Sequence, residues 1–229
     1  MLTLGPIDHN AVVRRIESDH IHVAGNIDGA SLVFLESTGD ITIDGKIDGG
    51  SRVTLKAARN VVIGTAGGDN YIDGGSHVQA VAGNSITLGG YIYNSTVDFS
   101  AHASIKQGGD LDHGATVRHL ADNDISIAGK IDGSSRAEIV SNRGSVIVSR
   151  KIDGSSRVWL TASGDILIGQ TGDDEDNKID GNSFVSATAG GMIVLGSRIA
   201  KDNTAVDFAA CGPISIGKGI GYGASLLSQ

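Results

Sequence analysis

Between Gly45 and Gly64 the chain reads GKIDGGSRVTLKAARNVVIG, with apolar residues at Ile47, then at Val53, Leu55 and Ala57, then at Val61 and Ile63. Within each group the spacing is two, the period of a strand with one buried face. Asp-Gly-Gly, Ala-Arg-Asn and a closing Gly separate the groups, and all are turn chemistry. The pattern predicts three short strands and three corners in about 20 residues. It returns in the same direction as Ile27, Val33, Leu35, Ile41 and Ile43, and again as Ile152, Val158, Leu160, Ala162, Ile166 and Ile168. A meander of hairpins would mirror the pattern on alternate strands. Equal units running one way instead place like residues above like, as in a parallel β-solenoid. Ile47 is expected over Ile27 and Val53 over Val33, with coils about 4.8 Å apart.

The tripeptide Ile-Asp-Gly marks one corner of most coils, with its Asp at Asp28, Asp48, Asp73, Asp132, Asp153 and Asp180; Leu111-Asp112-His113 is a variant. Coils begin near Gly5, Gly25, Gly45, Asn70, Gly90, Gly109, Gly129, Arg150, Asn177 and Ser197, about ten in all. A longer repeat overlies them. Gly5–Gly29 matches Gly109–Gly133 at a constant offset of 104, with about half the positions identical. The reading is an all-β, single-domain solenoid over 1–229, with a five-coil unit duplicated as 5–108 and 109–217. Both halves carry an insertion at the same corner, Thr65–Asp69 and Gln170–Asp176.

Composition fits this reading. The chain has 34 Gly and 2 Pro, and only 4% of its residues are aromatic, which suits many turns around a core too narrow for rings. A net charge of −8 disfavours nucleic acid and anionic membranes as partners. No apolar run reaches membrane-spanning length, so membrane insertion is not expected. Cys211 is the one cysteine, which excludes an intrachain disulfide and reads as a small filler residue. The opening MLTLGPIDHNAVVRRIESDH lacks the apolar stretch of a secretory signal. The expected settings are the cytoplasm, export by a signal-less route, or a place within a larger protein.

Candidate chemistry is sparse. The corner Asp residues read as turn residues accepting nearby backbone N–H groups. A column of them about 4.8 Å apart would otherwise repel. The seven His residues read as exposed polar positions, although His20 and His22 share one side of a strand. Asp173, Asp174 and Asp176 lie in an acidic loop rich in oxygen ligands, the kind that can hold calcium; the reading favours a solvated loop and no cofactor. Arg52, Arg136 and Arg157 fall in one column, Lys46, Lys130 and Lys151 in another, and Trp159 projects outward. An acidic polysaccharide would suit such basic columns, but the charges alternate with Asp, Glu and Ser and the reading favours a solvated face, with the outward Trp159 and Phe34 isolated from one another. Corners of two to four residues leave little wall for a cleft, so the reading leans away from an enzyme.

The rung phrases STGDITIDG (Ser37–Gly45) and ASGDILIG (Ala162–Gly169) resemble the G-D-I-x-I-x-G rungs of several bacterial β-solenoids. These are the haemagglutinin repeats of large secreted adhesins, the flagellar assembly protein A family, the C-terminal domain of the septum-site protein MinC, and the bactofilins. The resemblance implies a right-handed coil and a bacterial scaffold, adhesion or polymer role. The functional expectation is a non-catalytic module presenting flat ladder surfaces to a protein partner or to another copy of itself. The alternative is a carbohydrate-binding or polysaccharide-degrading β-helix.

Overall fold

In a computed structural model, described for residues 1–17, 19–64, 71–171, 177–200, 203–221 and 224–228, the chain is an all-β parallel solenoid of about ten coils. No helix occurs among the described residues. Strands of up to six residues, from Val12–Glu17 to Ser225–Ser228, form one eleven-stranded sheet, the long face. Strands of three residues, from Leu2–Leu4 to Ile214–Ile216, form a second, the short face. Alternation decides which side each residue takes: in Arg52–Ala57, Val53, Leu55 and Ala57 are buried while Arg52 and Lys56 are exposed. Val33, Val53 and Val78 pair in sequence up the stack, as do Ile27, Ile47 and Ile72, so the axial register follows the sequence pattern. At about 25 cal/mol per Å2, each stacked Ile, Leu or Val contributes on the order of 1.5–3 kcal/mol.

The third side departs from the expected strand. In most coils only the Ile of Ile-Asp-Gly bridges to its neighbours. The reason is the turn that follows. The Asp48 carbonyl accepts the Ser51 N–H at 3.2 Å, while Gly49 and Gly50 have φ of +63° and +74°. Two left-handed central residues closed in this way form a turn of type I′ character. It begins at the Asp and leaves one residue for pairing. Among the described residues a three-stranded ladder survives only at Tyr71–Ile72, Tyr91–Tyr93 and Leu111–Asp112, and a two-stranded one at Arg198–Ile199 and Gly219–Ile220.

The two turn positions are not equivalent. Ala30, Ser134, Ser155 and Asn182 occupy the second with φ between +57° and +64°. The first is Gly at Gly29, Gly49, Gly74, Gly133, Gly154 and Gly181, each of which stands above an Asp-containing corner of the coil beneath. A Cβ on Gly49 would collide with Asp28 Oδ1 and lie 2.7 Å from the Gly29 nitrogen. His113 replaces this glycine where the residue beneath Asp112 is Tyr93. Backbone donors at the other corners also find partners one coil away. Asn26 Oδ1 accepts the Lys46 N–H at 3.1 Å, Asp40 Oδ1 the Asn60 N–H at 3.0 Å, and Asp165 Oδ1 the Met192 N–H at 2.9 Å. A buried serine column runs beside the turns, Ser76 donating its N–H to Ser95 Oγ at 3.1 Å.

The seam between the duplicated halves is not a break. Thr96–Ala101 pairs with Thr116–Ala121 in the same unshifted register as strands within either half.

Two expectations are corrected. His119 is not exposed but wholly buried, at the inward position held by Leu35, Leu55 and Leu160 in other coils. Its ring stacks on Phe99 with centroids 5.1 Å apart, and Nε2 lies 3.0 Å from Gln107 Oε1. The Gln107 amide nitrogen donates to the Gly109 and Asp110 carbonyls, which points its oxygen at the imidazole. Cys211 is exposed rather than a filler, because it follows the strand Ala205–Ala210 at the corner, outside the alternating segment.

Candidate functional site

The corner carboxylates are all held by backbone N–H groups, and five of them, Asp48, Asp112, Asp132, Asp153 and Asp180, also by lysine. Asp28, Asp48, Asp73, Asp132, Asp153 and Asp180 each accept the N–H of the following Gly at 2.5–2.8 Å, and Asp112 accepts that of His113 at 2.6 Å. Lysines two residues earlier complete the pairing: Lys46 with Asp48, Lys151 with Asp153 and Lys178 with Asp180, all at 2.8 Å. Lys130 spans Asp132 at 2.7 Å and Asp112 of the coil below at 3.2 Å. Burial raises the Asp48, Asp132 and Asp180 pKa values, but the lysine and backbone hydrogen bonds outweigh it and hold them below the usual carboxylate range. The lysine column is therefore not a free basic stripe. Asp48→Ala is expected to cost about 1 kcal/mol, the size of a lost capping group, read as a lower urea midpoint. An unchanged midpoint would show that the turn does not depend on its carboxylate.

Tyr71, Tyr91, Tyr93 and His113 stack along this side, with ring centroids 5.1, 4.2 and 5.0 Å apart. The sequence signal was two tyrosines in the column before the Ile, which were not singled out. Each ring covers the next, so the stack spends its faces internally. Lys46 closes it, its ammonium 2.9 Å from the Tyr71 hydroxyl.

His20 and His22 do not converge on one ion. His20 Nδ1 accepts the Asp40 N–H at 2.9 Å, and His22 Nε2 lies 2.8 Å from Asp44 Oδ2. Among the described residues no group of three His, Cys, Asp or Glu could hold a metal. Asp173, Asp174 and Asp176 lie outside the described residues.

The arginine column is real but divided. Arg52 sits between Leu32 and His77, whereas Arg136 and Arg157 are register partners in adjacent coils. Trp159, one step along the same strand as Arg157, is not isolated: the Arg136 guanidinium lies 4.6 Å from its ring centroid and Phe184 6.0 Å away, tilted by 57°. Phe184 is the next residue up the arginine column, a neighbour readable from the alignment of SFVSATA on SRVWLTA. Arg136, Glu138, Val140, Trp159 and Thr161 line a hollow of about 350 Å3. Arg118, below Glu138, is held by Asp98 at 3.5 Å. At the other end of the long face, Ile16, Glu36, Lys56 and Val81 line a hollow of about 460 Å3. Phe34 lies between Arg14 and Lys56, whose cationic groups are 5.4 and 5.6 Å from its centroid.

These features are shallow, open and free of any paired acid and base aimed at one point. Comparison of the chain with protein-family models, with curated proteins and with solved structures returns no match.

Proposed function

We propose that this chain is a non-catalytic scaffold whose long face docks a second copy of itself. The observation that carries the reading is the distribution of exposed apolar side chains. Of the nine large ones among the described residues, six lie on the long face: Val12, Ile16, Leu32, Val81, Phe184 and Leu227. Val12 and Leu32 are neighbours in one column, and Ile16 and Val81 line one hollow, so four of them make a patch rather than a scatter. Glu36 and Lys56 are register partners within that patch. Two copies related by a two-fold axis would set the Glu36 of each against the Lys56 of the other, the self-complementarity that a symmetric interface requires.

Sedimentation velocity over a hundredfold range of concentration tests this. The expected result is a dimer that becomes a monomer when Ile16→Lys and Leu32→Lys are combined. Both sites face outward, so the variant should keep the parent's circular dichroism. A strict monomer at every concentration, or a dimer untouched by the paired substitution, would overturn the proposal.

A further inference from the structure

We infer that the hollow lined by Arg136 and Trp159, with Arg157 beside it on the same strand as Trp159, is a binding site for an acidic polysaccharide, a chain of uronic acid sugars lying along the solenoid axis. The inference does not rest on dimerisation, whose apolar patch lies on the first coils of the long face, whereas this hollow lies between the strands Arg136–Ser141 and Arg157–Ala162.

Three observations meet there. The first is unspent charge. Arg136 and Arg157 stand in adjacent coils, about 4.8 Å apart by strand spacing. Among the described residues neither has a carboxylate within 4 Å, unlike Arg118, which Asp98 holds. Two guanidiniums side by side repel, and an anion spanning them relieves that repulsion.

The second is preorganisation. Arg136 packs its planar group over the Trp159 indole at 4.6 Å. Stacking uses the face of a guanidinium and leaves its in-plane N–H donors free for a carboxylate. Less side-chain freedom is then lost on binding.

The third is the rest of the wall. Glu138 and Thr161 line the same hollow, and Ser186 is the register partner of Trp159 in the coil above. A carboxylate and two hydroxyls suit sugar hydroxyl groups. Phe184, 36% exposed, extends the apolar wall one coil further.

The protein's net charge of −8 does not forbid this. At physiological ionic strength repulsion from carboxylates farther than about 8 Å is largely screened, so the arginines in direct contact with a ligand outweigh them.

The test is affinity electrophoresis and calorimetry of the full chain with polygalacturonate, with neutral galactan and single-stranded oligothymidylate as comparators. The expected result is polygalacturonate binding that weakens with added salt, with no measurable binding to the other two. Arg157→Gln and Trp159→Ala should each weaken it at least about tenfold, the scale of losing a charge-assisted hydrogen bond or an aromatic contact. Arg52→Gln, in the same column but away from the indole, should leave it unchanged. Arg157→Gln removes charge from an exposed side chain and keeps the fold, so the test does not depend on Trp159→Ala being stable. No binding, equal loss in Arg52→Gln, or tighter binding to oligothymidylate would each overturn the inference.

Discussion

Gly49→Ala is expected to destabilise the chain by about 3 kcal/mol, whereas Gly50→Ala, one residue on in the same turn, should cost only about 1 kcal/mol. Both glycines have positive φ, so both substitutions bear the penalty of a left-handed alanine. They differ in what lies beneath. The new methyl at Gly49 would enter the space of Asp28 Oδ1 and the Gly29 amide, and backbone cannot step aside without opening the ladder between coils. The new methyl at Gly50 meets only the Gly74 carbonyl oxygen, at 3.7 Å. The chain already makes this experiment, with Ala30 at the second position one coil below. Urea unfolding of the two variants checks the argument. Equal losses would mean that φ alone governs the turn and that the Asp–Gly contact between coils is irrelevant.

Acidification from pH 6.5 to about 4 is expected to remove about 3 kcal/mol of stability through His119 alone. Burial pushes this imidazole down to about 4, only partly opposed by the hydrogen bond that the protonated ring's Nδ1–H can donate to the Arg118 carbonyl. In the unfolded chain it returns to about 6.5. Between those values the unfolded state holds a proton that the native state refuses, so stability falls as pH falls. The full contribution is present above pH 6.5 and is gone below about 4. The carboxylates of Asp48, Asp132 and Asp180 titrate lower still, so their loss belongs to a separate, more acidic window. His119→Leu alone should cost about 1–3 kcal/mol at pH 7, because it leaves the buried Gln107 oxygen without a donor. Combining it with Gln107→Leu restores an apolar pair like those of neighbouring coils and should be nearly neutral. The double variant should also lose the stability slope between pH 6.5 and 4. Parallel slopes in parent and double variant would refute the assignment.

The coil was legible because its signals agree. Period-two apolar runs, Gly-rich corners and a 20-residue return each specify the same stack, and Val53 over Val33 needed no further information. His119 shows where that reading fell short. Its parity, two residues after Val117, marked it as inward, yet residue type was weighed above position. The shortened third strand was hidden because it depends on φ at Gly49 and Gly50, which the bare pattern does not report. The lysine column looked like a basic surface because pairing at i and i+2 across a bridging Ile is a property of extended backbone ending in a turn. Trp159 looked solitary because its partners, Arg136 and Phe184, are 23 and 25 residues away in the chain.

The unbroken seam between the two halves has a consequence for how such a chain changes length. Strands meet across it in the register used everywhere else, so a recombination event between equivalent corners would neither kink nor misalign the product. Each added five-coil block would extend the rod by about 24 Å and each loss would shorten it by as much. Reach is thus a heritable variable in this architecture, adjustable in whole blocks without redesigning a single contact.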